Sequence, residues 1–464
     1  MKLASLRRSQ PVDMLHGPLL APIIAYTVPI MLSGLLQLMF NAADVAVVGR
    51  FAGDNALAAV GSTGSLTSLI TNLFIGLSVG TNVVAARARG AGDDRQLSRV
   101  VHTSMLLGFI CGAALSVIGV IFAPMFLEWM GSPDGVIQLA TVYLRIYFCG
   151  MIFSMVYNFG SAILRSIGDT KRPLMYLTIS GALNLLLNLL FVIAFGMDVD
   201  GVALATVISQ AVSAVLVVIC LIRSHGAIRL DLKRMRIHKS EFKDIVRIGL
   251  PAGVQSMTFS VSNVMIQSTI NSFGATQVAG NAAGANLDCF VNMAMNSFYQ
   301  SCISFVGQNY GARRFDRIRK ILKTCLSCVF CVGLVLGVGV WLMGDKLLYI
   351  YTTSADVVAA GMIRLTWVSL PYVLCGLNDC VVGALRGMGY SITTMLGSIA
   401  GICGLRLLWV LTICRIPPYA DMAHMVYVSY PLSWLVTLIF QSSMFIFAMR
   451  RLKKTETGGI INET

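Results

Sequence analysis

Three acidic residues stand inside long apolar stretches of the sequence: Asp44, Asp288 and Asp379. A charge at the centre of a membrane-spanning helix costs on the order of 3 kcal/mol on insertion scales, so such residues usually face a cavity and mark a functional site. A carboxylate held partly out of water can exchange a proton near neutral pH. With amide, hydroxyl and carbonyl oxygens around it, the same carboxylate could instead bind a hard cation such as sodium. The alternative for each of the three is an acid at a helix end that simply reaches water.

The elements that would position these acids are membrane-spanning helices. Hydrophobic residues make up 56% of the 464 positions and charged residues 12%, against about 25% charged residues in an ordinary soluble domain. Apolar runs such as Ile179–Phe195 and Leu326–Met343 are nearly free of charge, and a helix needs ~20 apolar residues to cross a bilayer. The composition therefore predicts an all-α integral membrane protein. Met1–Gly17 lacks the apolar segment of a cleavable signal peptide, so the first span is expected to be uncleaved.

Hydropathy and helix-breaking residues predict twelve spans. They lie near residues 19–48, 57–81, 98–123, 137–161, 172–196, 201–222, 245–271, 278–303, 318–344, 357–382, 391–415 and 424–449. An even number of spans places both termini on the same side of the membrane. The distribution of basic residues indicates which side that is.

The basic residues are strongly asymmetric about these spans. The N-terminus, the C-terminus and the loops after even-numbered spans hold, with their flanks, 29 of the 35 Lys and Arg residues. This count assigns Arg386 to the flank of span 10, whereas Arg145, Arg364 and Arg406 lie within spans. Because basic residues favour cytoplasmic loops, both termini are expected in the cytoplasm. The net charge of +14 is then a topology signal, and no nucleic-acid partner is expected.

The two halves of the sequence repeat each other. Leu164-Arg165-x-x-Gly168 aligns with Leu385-Arg386-x-x-Gly389 at an offset of 221, and Pro29 aligns with Pro251 at 222. We predict an N-terminal six-helix lobe over residues 1–222, a basic cytoplasmic linker over 223–244 and a C-terminal six-helix lobe over 245–464. Because each lobe has an even number of spans, the two have the same membrane orientation, the parallel type of transporter repeat. Substrate is then expected in the cleft between the lobes.

The twelve cysteines and five histidines give little support for a catalytic or metal site. Cys325-Leu-Ser-Cys328-Val-Phe-Cys331 has a C-x-x-C-x-x-C spacing, but it lies within an apolar run without a fourth ligand nearby in the sequence. Free cysteine packs as a small hydrophobe, so a structural role is favoured over a cluster or redox site. We therefore expect no enzymatic activity.

Several short motifs are typical of one family of membrane proteins. The first runs from Pro29 through Gln37 to Asn41-Ala-Ala-Asp44 and Gly49-Arg50-Phe51. Others are Ala56-Leu-Ala-Ala-Val-Gly61, Gly201-Val-Ala-Leu-Ala-Thr206, Gly307-Gln-Asn-Tyr-Gly311-Ala312, Leu164-Arg165-Ser-Ile-Gly168 and Ala384-Leu-Arg386-Gly-Met-Gly389. From about residue 18 to about residue 450, the sequence resembles the multidrug and toxic compound extrusion (MATE) transporters of bacteria.

The resemblance implies a twelve-helix membrane protein in which two pseudo-symmetric six-helix bundles form the V-shaped MATE fold. It implies a secondary active antiporter that exports organic, often cationic, drugs or metabolites by alternating access. Sodium ions or protons would enter in exchange as the coupling ion, and no cofactor is expected beside it. The resemblance further suggests a monomer in the plasma membrane, whose partners are small organic substrates and the lipid bilayer.

Carried over to this sequence, the family's cation site in the N-terminal lobe falls on Asp44, Asn184 and Thr206. These three residues could form a sodium site. Asn188 is a fourth candidate for cation coupling. It stands where many relatives carry a second acid, which argues against a proton relay of two carboxylates. The sequence therefore leaves sodium and proton coupling open.

The C-terminal lobe offers two further candidates for ion coupling. Asp288 and Asp379 match acidic positions in part of the family, whereas Gln255 and Ser256 occupy the stretch where another subfamily has an acid on its seventh helix. The acids do not repeat between the lobes, because Asp379 aligns with Asn158 and the other two also face neutral residues. We therefore expect the N-terminal lobe to dominate coupling.

The resemblance also suggests a substrate cavity and a hinge. Family cavities are lined by apolar, aromatic and amide side chains, a mixture that suits varied substrates. The candidates here are Gln37, Phe40, Asn41, Tyr157 and Asn158. Pro29 lies inside the first span, where it removes a backbone hydrogen bond and permits a bend. We hypothesise that bending at Pro29 couples the occupancy of Asp44 to the shape of the cavity.

Three other functions are weighed against this one. A lipid-linked glycan flippase of the same superfamily is the alternative; it would be expected to have a more cationic cavity than Arg145, Arg364 and Arg406 provide, and often extra spans. A membrane-embedded enzyme would need a metal or nucleophile constellation inside the spans. Two pseudo-symmetric halves suit a transporter with alternating access better than they suit a channel.

Overall fold

Apolar helices dominate the architecture. The computed structural model describes residues 11–51, 54–129, 134–417, 419 and 422–460. Over these residues the secondary structure is helical, without a β-strand. Twelve helical segments follow one another in the order of the twelve predicted spans, and the all-α prediction is confirmed.

The first six segments occupy the N-terminal half of the chain. They are α1 (Leu20–Phe51), α2 (Asp54–Ala91), α3 (Asp94–Trp129), α4 (Asp134–Cys149 and Met151–Ser166), α5 (Lys171–Leu189, continued by a π-helical turn over Leu190–Ala194) and α6 (Val199–Arg223). The two parts of α4 meet at Gly150 at an angle of 43°.

The second six segments contain more interruptions. They are α7 (Lys239–Asn271), α8 (Ala275–Gly311), α9 (Phe315–Leu342, then a short helix Gly344–Leu348), α10 (Ala355–Arg364, a π-helical turn Leu365–Ser369, then Tyr372–Gly387), α11 (Ser391–Ser398, a π-helical turn Ile399–Gly404, then Leu405–Thr412) and α12 (Ala423–Ile460). A π-helical turn carries one extra residue, shifts the register of the side chains that follow, and is frequent at functional sites.

Length and apolar composition allow nine of the described helices to cross a membrane, and ten if the bent α4 is one span. The remaining two, α7 and α8, are 33 and 37 residues long and are more polar. Their amide and hydroxyl side chains, such as Gln255 and Asn292, line a cavity inside the protein. A helix whose polar side chains face a cavity instead of lipid can cross the membrane with a lower mean hydropathy.

The packing divides the chain into two compact units. Unit 1 consists of Met1–Asp13 and Val28–Gly253, and unit 2 of Met14–Thr27 and Val254–Thr464. The boundaries thus fall inside α1 and α7 rather than in the predicted linker over 223–244. Each lies within three residues of a proline, Pro29 in α1 and Pro251 in α7. These two prolines are the pair that the sequence repeat aligns.

Glycines bring the start of α7 against α2 within unit 1. A Cβ atom at Gly76 would lie 2.2 Å from the backbone nitrogen of Gly253, and one at Gly80 would lie 2.3 Å from the carbonyl oxygen of Ile245. On α7 the glycines Gly249 and Gly253 have the same four-residue spacing. Small residues at this spacing let two helix backbones approach closely in a membrane.

The start of α1 packs within unit 2 through hydroxyl groups. The Tyr26 hydroxyl donates to Ser304 Oγ at 2.7 Å, and the hydroxyl oxygens of Thr27 and Ser301 lie 2.7 Å apart. Just before α1, the Met14 carbonyl oxygen accepts a 2.9 Å hydrogen bond from Asn309 Nδ2. The first two turns of α1 are therefore fixed to α8.

The basic segment between α6 and α7 is ordered against α3. The backbone N–H of Asp231 donates to His102 Nε2 at 3.1 Å, and the N–H of His238 donates to Thr103 Oγ1 at 3.1 Å. Two short 3₁₀ turns lie within the segment. The predicted linker is thus a docked part of unit 1.

Gly253→Ala is predicted to destabilise unit 1. Its Cβ would lie 2.2 Å from the carbonyl oxygen of Leu73, a backbone atom that cannot rotate away. Overpacking of this kind costs about 1–3 kcal/mol, so thermal unfolding of the detergent-solubilised protein should show a lower Tm. Gly339→Ala is the control, because its added Cβ would have no atom within 4 Å. This variant should have an unchanged or slightly higher Tm. Equal losses in both variants would contradict this account of the α2–α7 contact.

Candidate functional site

Asp44 lies in a chain of polar side chains inside unit 1. Its Oδ1 accepts a 2.5 Å hydrogen bond from Asn188 Nδ2, which also lies 3.4 Å from Asn184 Oδ1. Asn184 Nδ2 in turn lies 3.4 Å from Thr206 Oγ1. The structure therefore brings together the four residues that the sequence places in the N-terminal ion site.

Helix periodicity explains how these side chains meet. Asn184 and Asn188 are four residues apart on α5, so they share one face of that helix. Gly181 lies one turn earlier on the same face, and the Phe40 ring lies so close that a Cβ at Gly181 would be 1.8 Å from it. Phe40 and Asp44 are likewise four residues apart on α1. The contact between Phe40 and Gly181 thus sets the approach of α1 to α5 one turn before the polar network.

The network retains oxygen atoms that can still accept. Asn188 is fully buried, and its Oδ1 has no hydrogen-bond partner among the described residues. Asp44 is half-buried and Asn184 is buried. Burying a polar atom without a partner costs about 1–3 kcal/mol. An ion or a proton donor at this point would remove that cost.

The five predicted cavity residues occupy different surroundings. Gln37 and Asn41 are exposed on α1, whereas Phe40 packs on α5. The Tyr157 hydroxyl donates to the carbonyl oxygen of Pro173 at 3.0 Å, and Asn158 Nδ2 donates to that of Ser154 at 2.9 Å. These local bonds hold the two α4 side chains, and the joint role of the five residues in a substrate cavity stays a prediction.

Asp288 is held in a buried ion pair in unit 2. Its Oδ2 accepts from Arg364 Nε at 2.9 Å and from Arg364 Nη2 at 2.8 Å, while Oδ1 accepts from the Ser369 hydroxyl. Arg364 Nη1 also donates to Asn281 Oδ1 at 2.7 Å. Gly284 makes room for this arginine, since a Cβ there would lie 2.9 Å from Arg364 Cδ. The carboxylate of Asp288 is therefore already neutralised by a fixed cation.

Asp379 lines a cavity of about 520 Å³ in unit 2. It is half-buried on α10, and only the Cys375 thiol, 4.0 Å away, contacts it as a hydrogen-bonding group among the described residues. Arg386 is close enough to interact electrostatically with its carboxylate. Asp288, by contrast, meets the same cavity with both oxygens engaged. The two predicted C-terminal acids are therefore chemically different sites.

Arg386 is a third arginine of the unit-2 cavity. The sequence places it in the cytoplasmic flank of span 10, but α10 continues to Gly387 and Arg386 is buried against Tyr299 and Gln255. Together with Arg364 and Arg406 it lines the cavity of unit 2. The rule that ionisable groups within spans mark a function identifies Arg364 and Arg406 from sequence alone. Arg386 lies beyond the predicted end of span 10, so this rule does not select it.

The cysteine motif follows one helix without forming a cluster. Cys325 is buried, Cys328 half-buried and Cys331 exposed along α9. Among the residues that the structure describes, no group of three or more His, Cys, Asp or Glu side chains could hold a metal ion.

Comparison with known proteins identifies the family. Residues 29–190 and 251–411 each match the model of the MatE family, one match in each repeated half. The chain belongs to the MatE family. MatE proteins are transporters, and this MatE chain is accordingly a multi-pass membrane protein, as its apolar helices require.

Curated relatives extend over most of the chain. It is 27% identical to the probable multidrug resistance protein YpnP of Bacillus subtilis (strain 168), over 81% of this chain and 84% of that protein. It is also 27% identical to the probable multidrug resistance protein YoeA of the same organism, over 93% and 94%. A third relative, an FAD transporter of Shewanella oneidensis, is 27% identical over 80% of this chain and 81% of its own.

Solved structures confirm the fold. A multidrug resistance MATE family transporter of the MOP superfamily, in an outward-facing conformation, superimposes with a TM-score of 0.87 at 22% identity, covering 96% of this chain and 99% of its own. A MOP superfamily transporter from Pyrococcus furiosus, described as having a binding pocket of reverse polarity that suggests a different function, gives 0.89 at 21% identity with the same coverage. The prediction of the MATE fold is confirmed.

The ion pair of unit 2 gives a testable prediction. Removing one partner of a buried ion pair costs about 3–5 kcal/mol, because the other charge remains buried without compensation. Arg364→Met should therefore lower the Tm strongly, and adding Asp288→Asn to the same chain should restore part of the loss. Thermal unfolding of the two single variants and the double variant measures this coupling. A loss of Tm in the double variant that equals the sum of the two single losses would contradict the pairing.

Proposed function

We propose that this MatE transporter is a secondary active antiporter that exports organic compounds in exchange for sodium ions or protons by alternating access. Two relatives bear the name of probable multidrug resistance proteins, which supports drugs or metabolites as the exported substrates. Organic cations are the substrate class that we assign first. The chain acts as a transporter and not as an enzyme.

The polar network of unit 1 is the observation that carries this proposal. Asp44 is an acid inside a membrane-spanning helix whose described side-chain partner is the neutral amide of Asn188. A fixed cation, such as the one that neutralises Asp288, is not bonded to it among the described residues. A carboxylate in these surroundings is the group whose charge a mobile ion can compensate.

Both coupling ions fit the donor set of the network. A sodium ion needs several oxygen ligands, and Asp44, Asn184, Asn188 and Thr206 each present an oxygen in this network. Hard cations favour carboxylate, carbonyl and hydroxyl oxygens of this kind. A proton would instead neutralise Asp44 directly, with Asn188 Oδ1 free to accept from the protonated acid. Asn188 replaces a second carboxylate, so a single acid would carry either ion.

The remaining assignments follow from charge asymmetry and family. The excess of basic residues on one side supports a plasma-membrane protein with both termini in the cytoplasm. We assign a monomer as the working unit, with the lipid bilayer and small organic compounds as its partners. Asp379 and Asp288 are secondary candidates for coupling, and of the two only Asp379 is without a fixed ion-pair partner among the described residues.

Asp44→Asn is predicted to abolish ion-driven export. The amide has nearly the shape of the acid, but it cannot carry the negative charge that a sodium ion or proton must compensate. The measurement is efflux of a fluorescent organic cation from proteoliposomes under separately imposed sodium and proton gradients. Wild-type protein should respond to at least one gradient, and Asp44→Asn should fall to the rate of protein-free liposomes.

The matched control for this variant is Asp198→Asn. Asp198 is an exposed acid just before α6 and makes no side-chain cap bond there. It should transport like the wild type. Full gradient-driven efflux by Asp44→Asn would remove Asp44 from its role, and a wild type that responds to neither gradient would overturn the antiport proposal.

Pro29 is placed to act as the predicted hinge. It is buried inside α1, one residue after the point where the helix passes from unit 2 to unit 1. Its own carbonyl oxygen accepts a 2.8 Å hydrogen bond from the Ser33 hydroxyl. Proline lacks the N–H that would bond the preceding turn, so the helix is weakest at this point.

Pro29→Ala is predicted to uncouple transport from the ion gradient. Alanine restores the backbone hydrogen bond and stiffens α1 between the start that packs on α8 and the part that carries Asp44. The same efflux assay should show a loss of gradient-driven rate, while the Tm stays equal or rises. Unchanged efflux with unchanged ion dependence would remove Pro29 from the coupling mechanism.

A further inference from the structure

The cavity of unit 2 is lined by charged residues that lie outside the proposed ion site around Asp44. Its volume of about 520 Å³ lies within the range of about 300–1,000 Å³ that is usual for small-molecule sites. Five helices, α7, α8, α10, α11 and α12, contribute its walls. The whole cavity therefore belongs to one compact unit and needs no residue of the other.

The balance of charge in this cavity is positive. Three arginines and two aspartates line it, and the buried pair of Arg364 with Asp288 is neutral as a whole. Two arginines, Arg386 and Arg406, then face a single acid, Asp379. The lining stays positive whether Asp379 is ionised or protonated. An organic cation in this cavity would be repelled.

Arg406 is held in place, and one of its donor nitrogens has no hydrogen-bond partner among the described residues. It is 5% exposed, its guanidinium carbon lies 4.0 Å from the centre of the Tyr430 ring, and its Nε donates to Ser433 Oγ at 2.8 Å. Its Nη2 is buried and has no hydrogen-bond partner among the described residues. A fixed, stacked guanidinium with an unused donor fits the oxygen of a carboxylate or phosphate.

Arg386 is fixed in a comparable way. Its Nη2 donates to Gln255 Oε1 at 2.7 Å, its Nη1 bonds the Tyr299 hydroxyl, and its Nε has no partner among the described residues. It is 4% exposed. Its partners are neutral oxygens that orient the guanidinium without compensating its charge.

Aromatic rings form the wall beside Arg406. The Tyr372 and Trp434 ring centres lie 5.1 Å apart, and those of Tyr430 and Trp434 lie 5.8 Å apart. All three residues line the cavity, together with amides such as Asn292 and Asn296. Aromatic walls with a few polar groups suit a flat ring, whereas an acyl chain packed over the exposed amides Asn292 and Asn296 would remove them from water without offering a hydrogen bond.

We propose that this cavity binds an aromatic organic anion. Its carboxylate or phosphate group would accept from Arg406 and lie in the positive field of Arg386, and its ring would pack against Tyr372 and Trp434. The binding step needs no ion gradient and does not involve Asp44. The binding proposal can therefore be tested independently of the proposed antiport.

The test is binding to the full-length protein in phosphatidylcholine nanodiscs, measured by equilibrium dialysis without a gradient, with empty nanodiscs as the blank. The probes share one ring: 2-naphthyl phosphate, neutral 2-naphthol and 2-naphthylmethylammonium. Saturable binding of the phosphate, with neither the phenol nor the ammonium binding as tightly, is the expected result. Equal or tighter binding of the ammonium would overturn the proposal.

Three variants assign the binding to this cavity. Arg406→Gln should weaken 2-naphthyl phosphate by about tenfold or more, the usual value of a hydrogen bond to a charged group. Asp379→Asn should instead tighten it, because the variant removes the acid that opposes the anion. Arg145→Gln is the control, since Arg145 is an exposed arginine on α4 that bonds the Val120 carbonyl oxygen in unit 1.

Arg406→Gln could lose affinity because it lowers stability. The gain in affinity expected for Asp379→Asn cannot arise in that way, so it tests the proposal independently. Binding that is unchanged in both variants would overturn the assignment. A final arm replaces part of the phosphatidylcholine by anionic phosphatidylglycerol. Undiminished binding is expected, whereas competitive loss would identify a lipid headgroup as the occupant and overturn the proposal of a soluble anion.

Discussion

A charge inside a helix that crosses hydrocarbon must find its compensation within the protein, because lipid offers none. Asp288 is compensated by Arg364 and the Ser369 hydroxyl. Asp44 instead contacts an amide, which bonds the carboxylate but does not cancel its charge. Arg406 stacks on the Tyr430 ring, and its buried Nη2 has no hydrogen-bond partner among the described residues. We interpret these three arrangements as a structural ion pair, as the proposed site of a mobile cation and as the proposed site of an organic anion.

The helices carry local irregularities at these positions. A π-helical turn follows Asn188 within two residues, another follows Arg364 directly, and a third ends two residues before Arg406. Each adds a residue to the turn and so changes the direction in which the following side chains point. Glycines such as Gly181 and Gly284 then supply the space for the aromatic and guanidinium groups that complete each site. Regular, fully apolar helices would cross the membrane equally well but would provide neither these polar groups nor the space that the glycines leave for them.

The sequence predicts the framework and the unit-1 network well, and the unit-2 cavity less completely. Hydropathy locates twelve helices, and the resemblance to the MATE family places Asp44, Asn184, Asn188 and Thr206 in the group that the structure brings together. The partner of Asp288 is 76 residues away, and no pattern along the chain specifies a pairing at that distance. Arg386 lies beyond the end that hydropathy predicts for span 10, so the sequence does not show that it is buried beside the cavity. The boundaries of the compact units lie inside α1 and α7, since they follow helix packing rather than the loop between the halves.

The central claim is that the network around Asp44 holds the ion that is exchanged for substrate. The most direct measurement is the number of ions that leave the purified protein when an organic cation such as ethidium binds. The release is followed with a pH-sensitive and a sodium-sensitive dye in weakly buffered detergent solution. The account predicts release of a proton or a sodium ion from the wild type and no release from Asp44→Asn. Equal release from the two proteins would contradict it.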